Sequence, residues 1–420
     1  MIAMQTTRGP SVAGALALGL IGLMAGSGTA ERRVPGMLGA FAGDLAFLTQ
    51  HTQLVVLSDA SGAQVAIAPA YQGRVMTSTT GGADAPSFGW IGRAAIASGT
   101  RQPHMNVFGG EDRFWLGPEG GQYALYFKAG DPFDFDHWQV PEAFDWGAWE
   151  MTSQSRTTVQ FRKRMSLTNF SGARFEIDVA RAVRLVSAAD AAAHLGVAPG
   201  DGVRTVAFES SNTVANVGGA AWRRESGLVS VWILGQFTPS PETTVVIPFA
   251  PGPDATLGPV VNDAYFGTVA SDRLTRADGV VLFKADGQHR SKIGLSRSRA
   301  LSIAGSYDAA GRVLTLVQYT RPAGALDYVN SMWEIQRDPY MGDVLNSYND
   351  GPPAPGKPPL GPFYELETSS PALALAPRER YTHVHRTFHM TGAEADLDRI
   401  ARATLKVRLG DVKKAFTTAR

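Results

Sequence analysis

The chain has no cysteine in its 420 residues. That excludes structural disulfides, thiol catalysis and a lipid-modified amino-terminal cysteine, so stability must come from the chain's own core. An excess of charge of one sign is missing as well: 39 Lys and Arg face 38 Asp and Glu, for a formal net charge of +1. Such a chain has no strong field to gather nucleic acid or acidic polymers, and no nucleic-acid partner is expected. Nor does the sequence carry a phosphate loop, a dinucleotide fingerprint, a nucleophile elbow or an HExxH helix. The commonest cofactor and hydrolase classes are excluded with them, and neither cofactor nor metal is expected.

The apolar run Val12 to Ala25 follows Arg8 and precedes Gly28-Thr29-Ala30. It is shorter than the roughly 20 apolar residues that span a bilayer. Small residues at Gly28 and Ala30 fit a secretory signal cleaved after Ala30. The expected organisation is therefore a signal peptide over 1–30, one domain over 31–390 and a helical tail over 391–420. A periplasmic or secreted protein is expected, with no stable membrane anchor after cleavage; the oligomeric state is not legible.

With 44% apolar and 18% charged residues, the chain can bury a sizeable core. Helical spacing of apolar residues appears over Met37–Thr49, which reads as a short lid helix, and over Ala188–His194. Thr391-Gly-Ala-Glu-Ala-Asp-Leu starts like a capped helix with acids in its first turn. Most of the remainder is strand-like: Gln53–Leu57, Gln64–Ala68, Gly73–Thr77, Tyr123–Lys128, Thr157–Leu167, Phe175–Leu185, Arg204–Glu209, Leu228–Leu234, Thr243–Pro248, Gly279–Lys284, Val313–Tyr319, Met332–Gln336, Val344–Tyr348 and Phe363–Glu367. Short polar or glycine-rich connectors leave no room for crossover helices. The fold class is therefore all-β, a large antiparallel β-sandwich with a few short helices and a helical C-terminal tail. The proline-rich Gly351–Pro362 reads as a stiffened loop between neighbouring strands, able to wall one side of a site.

Chemistry concentrates in two segments. His104–Gln122 gathers Glu111, Asp112, Arg113, Phe114, Trp115 and Glu119 between glycine turns. Arg113 can clamp vicinal hydroxyls or a carboxylate, and Trp115 can offer a flat face to a sugar ring. The bland reading is a buried Glu111–Arg113 pair. In Phe363–Pro371, Glu365 and Glu367 share one strand face with Leu366 opposite, about 7 Å apart, where repulsion can raise one pKa. A surface glutamate and an arginine-paired one would explain them equally.

Three further groups are ambiguous. His383, His385 and His389 in YTHVHRTFH invite a zinc reading, but without a nearby carboxylate or cysteine they read better as satisfied strand histidines. Lys284, Asp286, His289, Arg290 and Lys292 surround an Asp-Gly turn that is either a ligand-contacting hairpin tip or a solvated turn. The aromatic, acidic run Asp131–Trp149 suits a loop folded over the sandwich or a sugar-stacking wall.

Ala66-Ile67-Ala68-Pro69 leading to Gly73-Arg74-Val75 resembles the first hairpin of galactose mutarotase-like proteins. Phe363–Pro371 followed by Leu375-Ala376-Pro377-Arg378-Glu379 resembles their C-terminal glutamate strand. The GGEDRFWLGPEGG run and Gly227–Pro239 look like those of a secreted bacterial branch of that superfamily. The resemblance spans about Thr52 to His389. It implies a glutamate that takes the anomeric proton, with Glu367 nearest in spacing and Glu365 the alternative. It also implies a central-strand histidine that protonates the ring oxygen, but this chain carries Gln236 there, which cannot act as an acid. His104 is then the candidate acid, with Glu111, Arg113, Trp115, Gln236 and Lys284 as candidate saccharide contacts. The expected function is a carbohydrate-active protein, an aldose 1-epimerase-like isomerase or a non-catalytic saccharide-binding protein on the same fold.

Overall fold

The computed structural model describes residues 38–81, 85–277, 279–324 and 326–416. The expected signal peptide lies outside them. Alternating apolar residues with few helix formers give long antiparallel strands, and these assemble into a ten-stranded sheet, a five-stranded sheet and a three-stranded meander. The expected antiparallel sandwich and its few short helices are observed.

The five-stranded sheet positions everything that follows. Its strands run in the order Ser291–Ser296, Asp343–Asn349, Tyr364–Ser369, Ser230–Phe237 and Arg113–Gly117. Side chains alternate across a strand, so the pairings sort them by face. Phe114, Ile233, Leu366, Leu345 and Ile293 fall on one face and are buried in two clusters that also contain Val179, Phe208, Val245 and Val317 of the ten-stranded sheet. The opposite face carries Arg113, Trp115, Trp232, Gln236, Glu365, Glu367, Asn346 and Lys292. One sheet thus has an apolar back and a polar front.

The C-terminal helices Glu394–Thr404 and Leu409–Lys414 bury Leu397, Ile400, Leu409 and Val412 against Leu314, Leu316, Phe388 and Met390 of the ten-stranded sheet. The helix near the start of the described chain spans Phe41–His51. No helix among the described residues is long and apolar enough to cross a membrane.

Two expected strands are absent. Tyr123–Lys128 forms turns, with the Ala124 N–H donating to Gly121 O and the Leu125 N–H to Pro118 O. Its apolar residues are buried as a cover, which mimics strand composition without a pairing partner. Met332–Gln336 is also a loop. There the Gln336 side-chain amide donates to Asn330 O and Met332 O, doing what a neighbouring strand would otherwise do. Conversely, Ile303–Asp308 pairs between Thr243–Pro248 and Val313–Tyr319, although its Ala-Gly-Ser centre carries little strand signal.

Between the sheets sits a polar knot. Arg181 is wholly buried and its Nη2 lies 2.7 Å from Asp112 Oδ1, while Nε donates to Gly73 O and Nη1 to Asn212 Oδ1. This pins the segment entering the Arg113–Gly117 strand to the facing sheet. Removing one partner of a buried ion pair leaves an uncompensated charge, so Arg181→Ala should destabilise the fold by about 3–5 kcal/mol. Urea denaturation reads this directly; a loss below about 1 kcal/mol would show that the pair is not anchoring the sandwich.

Candidate functional site

The polar front of the five-stranded sheet is shielded from water by loops. Glu367 has no exposed surface. Its Oε2 accepts from the Trp232 indole N–H and from Lys292 Nζ, both at 2.9 Å, while Oε1 has no partner among the described residues. Glu365 stands two residues away on the same face, 6% exposed. Its Oε1 accepts from Gln236 Nε2 at 2.8 Å and from Arg113 Nη2 at 3.2 Å.

Burial and neighbouring charges shift the titrations of Glu365, Lys292 and Glu119. Burial raises Glu365, the Arg113 guanidinium opposes the rise and the Glu367 charge adds to it, leaving the carboxyl pushed up to about 8. Burial alone would lower Lys292, but the carboxylates of Glu367, Glu119 and Glu365 outweigh it and hold the ammonium above its ordinary value. Glu119 is raised by burial against the pull of Lys292. The front face therefore holds a pinned Glu367–Lys292 ion pair beside a carboxyl that keeps its proton near neutral pH.

A cleft opens beside this pair, lined by Trp232, Lys292, Tyr265, Asp343, Asn346, Ser230, Ser331 and Ser369 among others. Its empty volume is about 330 Å³ counted out to the open mouth. The glutamates lie behind this lining, with Lys292 and Trp232 between Glu367 and the cleft. Asp343 Oδ2 accepts from Tyr265 Oη and from Asn262 Nδ2, each at 2.8 Å. Gly294 makes room for this cluster: a Cβ there would meet Asp343 Oδ2 at 2.2 Å and Asn346 Nδ2 at 2.6 Å. Lys292 Nζ sits 4.9 Å from the Trp232 ring centre and 5.3 Å from that of Tyr265. Hydroxyl, amide, carboxylate and ammonium groups set among aromatic rings suit a polyhydroxylated ligand.

The sequence candidates divide. Arg113, Gln236, Glu365 and Glu367 come together on one face. Trp115 joins them but is buried, with the Arg113 guanidinium 4.1 Å above its ring and Trp232 edge-on at 5.5 Å; its face is covered rather than offered to a ligand. Glu111 lies elsewhere, because Ser78 N, Ser78 Oγ and His389 Nε2 occupy its carboxylate between the sheets. Lys284 belongs to the ten-stranded sheet and leans toward Asp286 at 3.9 Å.

His104 sits in the loop ahead of Asn106, its Nδ1 2.7 Å from Trp138 O and its ring 4.5 Å from Phe135. No hydrogen bond joins it to either glutamate among the described residues. Its neighbour Met105 reaches the site instead, Sδ to Arg113 Nη1 at 3.6 Å. His383 and His385 both bond Thr368 Oγ1 inside the sandwich, and burial lowers them to about 3 and about 4. Among the described residues no group of three His, Asp or Glu is placed to hold a metal.

Trp232, Tyr265, Asp343 and Asn346 were not singled out from sequence, and Glu119 and Lys292 were named only within wider groups. Neither Lys292 nor Asn346 stands out locally, because the strands SKIGLS and DVLNSYN each carry several polar residues.

Residues 39–416 match the model of a family of unknown function, DUF6786. The chain belongs to that family. A search of curated proteins found no match. Among solved structures, the chain is similar to a putative aldose 1-epimerase from Escherichia coli K12 at 12% identity and TM-score 0.49, covering 81% of this chain and 99% of that one. The Slr1438 protein of Synechocystis sp. PCC 6803 is similar at 13% identity and TM-score 0.48, with 81% and 96% covered. A galactose mutarotase-like protein from Lactobacillus casei ATCC 334 follows at 12% and 0.45, with 80% and 100% covered.

A pH dependence follows from Glu365. Its folded-state pKa lies above the unfolded value of about 4.3, so the folded chain holds the extra proton between the two. That contribution to stability is complete below the unfolded pKa and is lost as pH rises through the folded one. Glu365→Gln should therefore flatten the fall in melting temperature between about pH 5 and 8. Parallel wild-type and variant profiles would contradict this.

Proposed function

We propose that this protein binds a saccharide over the polar front of the five-stranded sheet and acts as an aldose 1-epimerase-like isomerase with Glu367 as base. One observation carries the reading: a fully buried carboxylate pinned through one oxygen by Trp232 and Lys292, its other oxygen without a partner among the described residues. An unpaired buried acceptor is costly, and a ligand hydroxyl is the donor that would relieve it. The resemblance of Phe363–Pro371 to the mutarotase glutamate strand supports the same assignment. On this reading Glu367 takes the proton of the anomeric hydroxyl, and the ring opens and recloses on either face.

The chain's other groups have separable tasks. Lys292 pairs with Glu367 and then steadies the charge that passes to the anomeric oxygen. Asn346 and the Tyr265–Asp343 pair face the cleft and suit ring hydroxyls. The apolar run near the start supports a periplasmic or secreted location.

A second reading, saccharide binding without catalysis, is favoured by the cleft lining itself. Trp232 and Lys292 border the cleft whereas both glutamates lie behind it. The two readings separate in one measurement, anomer exchange of freshly dissolved aldoses and uronic acids followed by NMR. The wild type should accelerate exchange of at least one sugar. Glu367→Gln should lower that rate by about 10²-fold or more while sugar affinity stays nearly intact, the range expected for loss of a general base. A saccharide at about 100 times its dissociation constant should add roughly 2.7 kcal/mol of stability. Stabilisation without exchange would select the binding reading.

A further inference from the structure

We infer that Glu365 is the proton donor to the ring oxygen, pairing with Glu367 so that two carboxyl groups of one strand face perform both proton transfers. This rests on the epimerase reading above. Ring opening needs an acid as well as a base. His104 is held at Trp138 O, and Gln236, on the central strand, has no acidic proton to give. Gln236 does something else: its amide donates to Glu365 at 2.8 Å. The glutamate thus lies directly beside the position at which an acid is required.

Geometry supports the pairing. Residues two apart on a strand are separated by about 6.6–6.8 Å. Two hydrogen bonds of about 2.7 Å, joined by two oxygens that share one carbon, cover that span. The spacing of the two carboxyl groups therefore matches that of the anomeric hydroxyl and the ring oxygen of one sugar. The charged and titratable groups facing Glu365 are Arg113, Glu367, Lys292 and Tyr348, each from a different strand except Glu367. Burial and Glu367 favour its protonated form, while Arg113 and Lys292 oppose it.

The step balances. Glu367 accepts the anomeric O–H proton as the C1–O5 bond breaks and the carbonyl forms, and Glu365 gives its proton to O5. After rotation about C1–C2, O5 attacks C1, Glu365 recovers its proton from O5, and Glu367 returns the other to the new anomeric oxygen. No oxidant, reductant or co-reactant is needed.

Two measurements test this. In wild type labelled with ¹³C at glutamate carboxyls, one carboxyl should keep its proton through pH 7, and that signal should be missing from Glu365→Gln. Glu365→Gln should also slow anomer exchange by about 10²–10⁴-fold with the saccharide-induced thermal shift retained. Wild-type kcat/KM should fall as pH rises past about 8, the direction set by the raised Glu365 titration. Glu365→Asp should recover part of the rate. Exchange at wild-type speed in Glu365→Gln, or glutamates that all titrate in the ordinary range, overturns the assignment alone. A wild type that exchanges no anomers overturns the epimerase reading and this assignment with it.

Discussion

The Glu367–Lys292 ion pair is the constraint around which the front face is organised. Withdrawing two charges from water costs several kcal/mol for each ion, and only close pairing with further hydrogen bonds offsets that. The pair spans the sheet from the Ser291–Ser296 strand across Asp343–Asn349 to Tyr364–Ser369, and Trp232 extends it to a fourth strand. The same dry face acts on Glu365: burial is the main reason that it keeps its proton, and the nearby Glu367 adds to this against the pull of Arg113.

The alternation of a β-strand makes this arrangement possible. Because register sorts residues by face, Leu366 enters the core between two glutamates that do not. A slip by one residue would drive both acids into the apolar interface with the ten-stranded sheet. The sandwich core and the front-face site are therefore specified together, and the Arg181–Asp112 knot secures the same register from the other side.

Local pattern revealed much of the fold, because short runs rich in β-branched and apolar residues, such as Gln64–Ala68, Thr243–Pro248 and Val313–Tyr319, carry their strand character in themselves. Tyr123–Lys128 and Met332–Gln336 share that composition yet cover a sheet instead of joining one, a distinction only tertiary contacts make. At the site, the Glu365–Glu367 spacing and Arg113 were legible. Lys292 was hidden within a basic stretch read as a turn, since nothing local reveals that its partner lies 75 residues away. Glu111 misled for the converse reason: its chemistry suits a sugar, but Ser78 and His389, distant in sequence, claim its oxygens.

The aromatic cover ties acidity to recognition. Trp138 stacks 5.9 Å from Trp333 and 6.1 Å from Tyr126, and Phe127 meets Trp333 edge-on at 5.2 Å. These rings come from the turn after the Arg113–Gly117 strand, from the acidic aromatic run and from the 327–341 loop, and they enclose the Glu119 side of the face. By excluding water they strengthen the Glu367–Lys292 attraction and raise the cost of a charge on Glu365. The same packing that shields the site thus sets the proton inventory that its chemistry would require.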